Sequence, residues 1–587
     1  MPVPTDAWVE LSAAASPVFS RDGATLYHLR GAGLPQVWAM DLAGGNARQI
    51  SFHDEAVAFL ARAPKDDRLI WGVDAGGDER QQLWMLEPGG APRALTAAPD
   101  VIHDAGAFSP DGGFFSVTAN DRDETIFDVK LMDLGSGEQR RLLEGVGILK
   151  AAGWRPDGAA LALIHDHATS DQRLFILDLK GGLQEVPRAS LARYAAVRWA
   201  QGKLHALTDD GGADFMRLCR IDPDSGALEI VYKAPGRDVE AWAFAAESGL
   251  LATIENDRGY ALLRVGPIEG ERPVVGGPPE GIVTDLAWDA AGEKLAFSAQ
   301  GSTAPAGIYV WEKGVARAIW RPDTAPGLPA FVAPRLVCWT SADGMEIPGF
   351  YFQPRTPAPP GGHPAIVWVH GGPSAQTRAN FRVDLQMLLD QGFAVLAPNI
   401  RGSTGYGRAY MEADEVGLRV DCLADLAAAR AWIAAQPGVD PNRIGLMGQS
   451  YGGWAVLAGV TLLPDLWKAA VNYYGIADFV TLLERTGPWR RDHRAREYGF
   501  PGVDDALFDQ ISPIRHVEKV SAPLLILHGD RDPRVPMYES DSFVEAMEIR
   551  QKPVRYERFT YAGHGFIRPD HRRRVYAAVA EHFLAHL

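Results

Sequence analysis

Cysteine, long apolar runs and clustered positive charge are all scarce in this sequence. Its three cysteines, Cys219, Cys338 and Cys422, lie far apart and form no CxxC pair, which excludes a disulfide scaffold and a thiolate zinc site. No uninterrupted apolar run reaches the roughly 20 residues that a membrane helix needs, and the N-terminus lacks a basic stretch followed by an apolar one. We therefore expect a cytoplasmic protein with no membrane partner.

Positive charge is outnumbered, because 58 lysines and arginines face 74 aspartates and glutamates, for a formal net charge of −16. Nucleic-acid binding needs concentrated basic residues that displace counterions from phosphates, and the short cluster Arg572–Arg574 fits the exposed face of a terminal helix instead. A negative protein could slightly disfavour acidic substrates, although net charge says little about the field inside a cleft. We expect no nucleic-acid partner.

Two short patterns resemble metal sites. His165-Asp166-His167 has alternating histidines, but a lone His-x-His at a strand end is usually a loop feature. Asp222–Gly226 resembles the start of a calcium loop and lacks the remaining ligand spacing. We therefore expect no metal and no cofactor.

An aromatic residue recurs about every 40 to 50 residues through the first half of the chain, within the range of propeller blades. The series is Phe19, Phe59, Phe108, Trp154, Trp199, Phe244 and Trp288. A short apolar strand follows each member, and Asp-Gly or Gly-Gly turns separate the strands. One such unit cannot bury both faces alone, so the units should stack radially. The repeat predicts a seven-bladed β-propeller over residues 16–325, with a β-sandwich array or a β-solenoid as the alternatives.

Alternating strands and helices follow the repeat, after a linker-like stretch that includes Arg321–Asp323 and residues 325–327. Ala365–His370 and Leu524–His528 are continuous apolar runs, as expected for strands buried on both faces of a parallel sheet. Asp421–Ala435 has helical spacing. Because 587 residues are too many for one core, the pattern predicts a second domain, residues 326–587, with a doubly wound, mostly parallel sheet.

The segment Gly448–Gly452 reads G-x-S-x-G between an apolar strand and a predicted helix, Trp454–Leu463. That strand-turn-helix context is what the nucleophile elbow of an α/β-hydrolase requires. The two glycines remove side chains where the sharp turn brings backbone segments together. We therefore predict an α/β-hydrolase fold with Ser450 as the nucleophile.

A serine hydroxyl needs an adjacent base, and in this fold the acid and the histidine follow the serine in chain order. Two carboxylates, Asp530 and Asp532, come after the apolar run at 524–528. Asp532 lies further into the loop and can reach a histidine, whereas Asp530 fits a turn. His564 lies between two glycines just past a predicted strand, Val554–Phe559. We predict Asp532 and His564 as the other two members of a catalytic triad.

The oxyanion that forms on acyl transfer needs two preorganised donors. One should be the backbone N–H of Tyr451, the residue after the nucleophile. The other should come from the glycine-rich loop His370–Pro373, where we choose Gly372. Aromatic candidates for the substrate pocket, each equally compatible with a core position, are Trp454, Tyr473 and Tyr474.

Five motifs together resemble a known family. They are HGGP (370–373), RGSTGYG (401–407), GQSYGG (448–453), HGDRDPRVP (528–536) and AGHGF (562–566). A propeller followed by a hydrolase with these motifs resembles the prolyl oligopeptidase family over essentially the whole chain. The resemblance implies that the catalytic triad is Ser450, Asp532 and His564, with oxyanion donors at Gly372 and Tyr451.

The sequence departs from the prolyl oligopeptidase and dipeptidyl peptidase branches at His370, where those enzymes carry a tyrosine whose hydroxyl donates to the oxyanion. HGGP is typical of the acylaminoacyl-peptidase branch, whose second donor is a backbone amide. That branch also implies that Arg534 lies near the substrate pocket, with a salt bridge in its own loop as the alternative. The family architecture implies that residues 1–15 pack on the hydrolase domain and that the propeller covers the active site.

These features predict a serine peptidase that cleaves short peptides, as an acylaminoacyl-peptidase-like exopeptidase or oligopeptidase. A dipeptidyl aminopeptidase would need carboxylates for a free amine, for which Asp78-Glu79 and Asp123-Glu124 are candidates. A carboxylesterase would use the same triad on small esters. A propeller scaffold with an inactive hydrolase predicts a lost triad member, and none is lost. Exposed blade edges are compatible with a homo-oligomer.

Overall fold

Seven small antiparallel sheets follow one another along the first half of the chain in the computed structural model, which describes residues 3–43, 45–323 and 327–587. Six of the seven sheets have four strands, and the remaining one, which is sixth in chain order, has three. Strands of the first four sheets are β1 (Ala13–Phe19), β2 (Thr25–Gly31), β3 (Gln36–Asp41), β4 (Arg48–Gln49), β5 (Val57–Arg62), β6 (Leu69–Val73), β7 (Gln82–Leu86), β8 (Arg93–Ala94), β9 (His103–Phe108), β10 (Phe114–Asp123), β11 (Ile126–Asp133), β12 (Gln139–Leu143), β13 (Leu149–Trp154), β14 (Ala160–Ala168), β15 (Asp171–Asp178) and β16 (Leu183–Glu185). The last three sheets contain β17 (Tyr194–Ala200), β18 (Lys203–Thr208), β19 (Arg217–Ile221), β20 (Leu228–Tyr232), β21 (Val239–Ala245), β22 (Leu250–Asp257), β23 (Tyr260–Pro267), β24 (Gly281–Trp288), β25 (Lys294–Gly301), β26 (Ala304–Glu312) and β27 (Val315–Trp320).

The seven aromatic repeat residues all lie on the first strand of a sheet, and some of them join neighbouring sheets. The indole Nε1 atom of Trp154 donates to the carbonyl oxygen of Ala107 in the preceding sheet at 3.0 Å, and that of Trp288 donates to Ala243 at 3.0 Å. The last sheet packs on the first, since Ile308 shares a core cluster with residues of β1 and β2. The predicted seven-bladed propeller is confirmed.

One eight-stranded sheet forms the core of the second half, in the order β28-β29-β31-β30-β32-β33-β34-β35. The first two pairings are antiparallel and the other five are parallel. The strands are β28 (Arg335–Thr340), β29 (Glu346–Phe352), β30 (His363–Val369), β31 (Ala394–Pro398), β32 (Val439–Gln449), β33 (Ala470–Tyr473), β34 (Leu524–Gly529) and β35 (Val554–Phe559). Every residue of β31 and β34 is buried, as the apolar runs predict for central parallel strands.

Helices cover both faces of this sheet, which completes the predicted α/β-hydrolase fold. The α-helices are α1 (Thr5–Val9), α2 (Val383–Asp390), α3 (Arg408–Met411), α4 (Cys422–Ala434), α5 (Tyr451–Leu462), α6 (Phe479–Arg485), α7 (Pro488–Tyr498), α8 (Asp505–Ile511), α9 (Tyr538–Ile549) and α10 (Pro569–His586). Short 3₁₀ segments span Glu412–Asp414, Val416–Asp421, Pro464–Leu466 and Pro513–Lys519. No helix in the part of the chain that the structure describes is long and apolar enough to cross a membrane.

The N-terminal helix α1 lies on the hydrolase domain. The Trp8 side chain is completely buried in a cluster with Met387 and Ala580, and the Val3 N–H donates to Asp390 Oδ2 at 2.9 Å. Strand β1 begins at Ala13, so the first sheet includes the last three residues of the predicted N-terminal segment, residues 1–15. The predicted boundary between residues 325 and 326 lies outside the described residues.

Candidate active site

Ser450 lies at a sharp turn between the end of β32 and the start of α5. Its backbone dihedrals, φ 58° and ψ −119°, are strained for a residue with a side chain, and such strain is concentrated at functional sites. A Cβ atom at Gly448 would lie 2.3 Å from the Gly452 carbonyl oxygen, and one at Gly452 would lie 2.2 Å from that of Val369. Only glycine fits at both places, so the pattern around Ser450 is required by the turn.

The structure brings Ser450, His564 and Asp532 into one hydrogen-bonded chain. His564 Nε2 lies 2.9 Å from Ser450 Oγ, and His564 Nδ1 lies 2.6 Å from Asp532 Oδ2. A carboxylate only accepts hydrogen bonds, so Nδ1 carries the imidazole proton and Nε2 is left to accept from the serine hydroxyl. The arrangement is that of a nucleophile, a general base and an acid that orients the base.

Asp532 is held as a carboxylate in a buried position. Burial alone would oppose its ionisation, but the adjacent imidazole of His564, together with His528, holds the pKa of Asp532 well below its usual range. Its other oxygen, Oδ1, accepts from the backbone N–H groups of Arg534 at 2.8 Å and Val535 at 3.0 Å. The loop therefore fixes the acid in place before substrate arrives.

Asp530 forms hydrogen bonds to a backbone turn and not to His564. Its Oδ1 atom accepts from the backbone N–H of Tyr561 at 2.7 Å, at the turn after β35. That bond ties together the two loops that carry Asp532 and His564. The distances thus separate the two carboxylates that the sequence leaves in competition.

Two backbone N–H groups are available beside the serine. Tyr451 is the first residue of α5, so no carbonyl within the helix accepts its N–H. A Cβ atom at Gly371 would lie 3.1 Å from Ser450 Cβ, which places this glycine against the nucleophile. The Gly371 carbonyl lies 2.7 Å from His370 Nδ1, so the imidazole holds one side of the Gly371–Gly372 peptide and directs the Gly372 N–H to the opposite side. Gly372 lines the same cavity as Ser450, and the N–H groups of Gly372 and Tyr451 stay the predicted oxyanion donors.

The Tyr451 side chain anchors the N-terminal end of α5 in the protein interior. It is fully buried, and its hydroxyl donates to Asp414 Oδ2 at 2.9 Å. The same oxygen accepts from Arg419 Nη1 at 3.0 Å, and the Arg419 guanidinium lies 5.0 Å from the centre of the Tyr451 ring. A buried ion pair thus supports the residue whose amide faces the site.

A cavity of about 510 Å³ opens above Ser450 and His564. Tyr474 lines it, with its ring centre 4.6 Å from that of the His564 imidazole, and Arg534 lines it too. Trp454 does not: it is fully buried in the hydrolase core and its indole donates to the Ile511 carbonyl at 3.0 Å. The pocket role considered for Trp454 is therefore corrected to a core role, because α5 is buried on nearly every face.

Arginine dominates the wall of this cavity, and of these arginines only Arg534 was predicted from the sequence. The five lining arginines are Arg378, Arg382, Arg490, Arg494 and Arg534. Among the described residues that line the cavity, none is aspartate or glutamate. The dense basic stretch Arg490–Arg496 is the one local signal that could have drawn attention to α7.

Arg534 bridges the two domains. Its Nε atom forms an ion pair with Glu79 Oε1, from the propeller loop between β6 and β7, rather than a bridge within its own loop. A second cavity of about 450 Å³ adjoins the first and shares Arg490, Arg494 and Arg534 with it, and Glu79 lines this second cavity. Asp104 and Asp166 line it as well, so three propeller carboxylates lie at the edge of the site.

The sequence is similar to a known protein family and to several characterised peptidases. Residues 379–587 match the model of the prolyl oligopeptidase family. The chain is 29% identical over 560 residues to dipeptidyl aminopeptidase BIII of Pseudoxanthomonas mexicana, covering 88% of this chain and 78% of that protein. It is also 29% identical over 230 residues to the human acylamino-acid-releasing enzyme, covering 37% of this chain and only 31% of the human one.

Solved structures share the whole architecture. A puromycin-hydrolyzing peptidase from Mycobacterium tuberculosis superposes with a TM-score of 0.87 at 22% identity, covering 100% of this chain and 96% of the other. An acylaminoacyl peptidase superposes with a TM-score of 0.76 at 17% identity, covering 99% and 97% of the two chains. At these identities the match establishes the fold alone.

Proposed function

We propose that this chain is a serine-type peptidase of the prolyl oligopeptidase family and that it releases N-acylated residues from short peptides. Ser450 is the nucleophile, His564 the general base, Asp532 the orienting acid, and the N–H groups of Gly372 and Tyr451 the oxyanion donors. The composition of the cavity wall supports this choice of substrate, because the wall has five arginines and, within the described residues, no carboxylate.

Catalysis proceeds in two halves on this geometry. His564 Nε2 takes the proton of the Ser450 hydroxyl as its Oγ attacks the scissile carbonyl, and the two backbone N–H groups stabilise the oxyanion. The imidazolium then gives that proton to the leaving amine, which departs and leaves an ester on Ser450. Water, deprotonated by the same nitrogen, hydrolyses the ester and regenerates the serine.

Charge favours an acylated N-terminus over a free one. A free α-amino group is largely protonated at neutral pH and would enter a cavity whose wall carries a net positive charge, where like charges repel. An acylated N-terminus is neutral and does not meet that repulsion. The same wall disfavours basic side chains in the substrate.

A dipeptidyl aminopeptidase is the second candidate, supported by Glu79 and by the relative of that name. Of the four carboxylates considered for gripping an amine, only Glu79 lines a cavity at the site, and it is engaged with Arg534. Asp78 accepts from the Arg80 N–H at 3.0 Å in its own turn, and Asp123-Glu124 lies exposed. One engaged carboxylate gives this candidate weaker support.

Four substrates with related leaving groups test the proposal. Acetyl-Ala-p-nitroanilide, Ala-Ala-p-nitroanilide and Ala-p-nitroanilide differ only at the N-terminal side, and p-nitrophenyl acetate reports esterase activity. We expect kcat/KM for the acetylated anilide to exceed that for Ala-Ala-p-nitroanilide by about tenfold or more. That ratio corresponds to the free-energy cost of one unfavourable contact between like charges. Faster release from Ala-Ala-p-nitroanilide would favour the aminopeptidase, and activity on the ester alone would favour a carboxylesterase.

Location and assembly complete the proposal. Cys219, Cys338 and Cys422 are all free thiols, which supports a reducing compartment such as the cytoplasm. A homo-oligomer and the lack of a nucleic-acid partner remain predictions.

A further inference from the structure

Arg490 differs from the other four arginines of the cavity wall, because each of those has a carboxylate partner. The pairs are Arg378 with Glu240, Arg382 with Asp384, Arg494 with Glu497 and Arg534 with Glu79. Arg490 forms no ion pair with any residue that the structure describes. The wall therefore carries one positive charge that the protein itself does not neutralise.

The surroundings of Arg490 make that charge costly. Its Nη1 atom is buried and has no hydrogen-bond partner among the described residues. Burial, followed by the neighbouring charges of Arg494 and Arg534, lowers the pKa of Arg490 to about 10, so the group still stays charged at neutral pH. Buried N–H donors without acceptors are rare in folded proteins and require an explanation. An anion that enters the cavity would supply the acceptor and the counter-charge together.

A second guanidinium on the same wall also has unused donors. Arg378 donates from Nη1 to Glu240 at 2.7 Å, but its Nε and Nη2 atoms are buried without partners in the described part of the chain. The free donors thus belong to two side chains from different segments, one on α7 and one in the loop before α2. Both line the cavity that contains Ser450.

We propose that this cavity binds a carboxylate of the peptide substrate through Arg490. The inference rests on the proposed peptidase function and adds a substrate class, peptides with an acidic group close to the scissile bond. A planar guanidinium matches a carboxylate in a bidentate manner, and the low-dielectric wall strengthens that contact. The local charge is thus opposite to the net charge of −16, which describes the whole chain and not this cavity.

Two sources can supply the carboxylate, a side chain or the C-terminus, and matched peptides distinguish them. Acetyl-Ala₄-amide is the neutral reference, and acetyl-Ala₄ with a free carboxyl end tests the C-terminus. Replacing each alanine of the amide in turn by glutamate, with glutamine as the isosteric control, tests side chains. Cleavage is followed by mass spectrometry, and binding to the Ser450→Ala protein is measured by calorimetry.

One carboxylate source should raise kcat/KM about ten- to hundredfold over its neutral match, the usual gain from a charge-assisted hydrogen bond. Arg490→Met should reduce that ratio to about one, whereas Arg491→Met, an exposed neighbour on the same helix, should keep it. Arg490→Gln serves as a second variant if the methionine protein does not fold, and its ratio should fall in the same way.

The outcomes separate the two proposals. Cleavage of acetylated peptides with no preference for any carboxylate, or a preference that survives in the folded Arg490 variants, overturns the carboxylate site and leaves the peptidase function standing. Failure to cleave any peptide overturns the proposed function, but tighter, Arg490-dependent binding of carboxylate peptides by the Ser450→Ala protein would still establish the site. Equal binding of charged and neutral peptides would remove it.

Discussion

Arg534 of the hydrolase loop and Glu79 of the second propeller blade form an ion pair across the domain junction. The backbone N–H of Arg534 also donates to Asp532 Oδ1 at 2.8 Å. One residue therefore contacts both the propeller and the acid of the triad. Through this contact the propeller reaches the edge of the site.

Glu79→Gln tests what this contact contributes. The two side chains are 48% and 29% exposed, so the pair should add no more than about 1 kcal/mol to stability, and the melting temperature should change by no more than about 2 °C. If acylated peptides are the substrates, the ratio of kcat/KM for acetyl-Ala-p-nitroanilide to that for Ala-Ala-p-nitroanilide should change less than about threefold. A change of that size is no larger than the effect of losing one weak polar contact. A selective loss of about tenfold or more on Ala-Ala-p-nitroanilide would instead identify Glu79 as an amine ligand.

Ser450→Ala and His564→Ala should each lower kcat by about 10⁴-fold or more, because members of a triad act as a unit. The measurement is p-nitroaniline release together with labelling by a fluorophosphonate, which should modify the wild type and not Ser450→Ala. Ser521→Ala, at an exposed serine, is the control and should retain both signals. Labelling of the Ser450→Ala protein would show that another residue is the nucleophile.

Asp532→Asn and Asp530→Asn should differ although the two residues are neighbours. Asparagine at 532 favours the wrong imidazole tautomer, so kcat should fall by about 10⁴-fold. Asparagine at 530 weakens the bonds to the Tyr561 and Ala562 N–H groups, so it should cost about 1 kcal/mol of stability and lower kcat by less than about tenfold. Kinetics of both variants at 25 °C, with circular dichroism as the folding check, decide between them. Equal losses would contradict the roles assigned here.

Chain order and turn glycines made the triad predictable, because Ser450, Asp532 and His564 each follow a strand of one sheet and so emerge at the same edge. Arg378 and Arg490 were not predictable in this way. They come from segments more than a hundred residues apart along the sequence, and only the tertiary fold brings them to one wall. Trp454 failed for another reason: α5 is apolar on all sides, so no periodicity separates a pocket-facing position from a core position.

The propeller was predictable because its repeat has a physical cause. Trp154 and Trp288 each donate an indole hydrogen bond to the neighbouring blade, so the blade spacing is recorded in the aromatic residues. The start of the first blade was not predictable in this way, since β1 begins at Ala13, before the first repeat residue, Phe19. A strand of small residues such as Ala13–Ala15 has little sequence signal, and only its pairing with β2 defines it.

His370 should make stability depend on pH. Burial lowers the pKa of this imidazole to about 4, against about 6.5 in the unfolded chain, and it contacts the Gly371 carbonyl and the Ser403 hydroxyl. Above pH 6.5 the imidazole is neutral in both states and contributes no pH dependence. As the pH falls from about 6.5 to 4, the unfolded chain takes up a proton that the folded protein does not, so folding should lose up to about 3 kcal/mol.

His370→Gln removes this titration, so its free energy of unfolding should fall less steeply than that of the wild type over the same pH range. Urea unfolding at pH 7.5, 6, 5 and 4 measures both slopes. His28 and His582, whose pKa values burial also lowers to about 4, are present in both proteins and cancel in the difference. Identical slopes for His370→Gln and the wild type would mean that His370 takes up its proton equally in both states, and would remove it as the neutral group that holds the Gly371–Gly372 peptide.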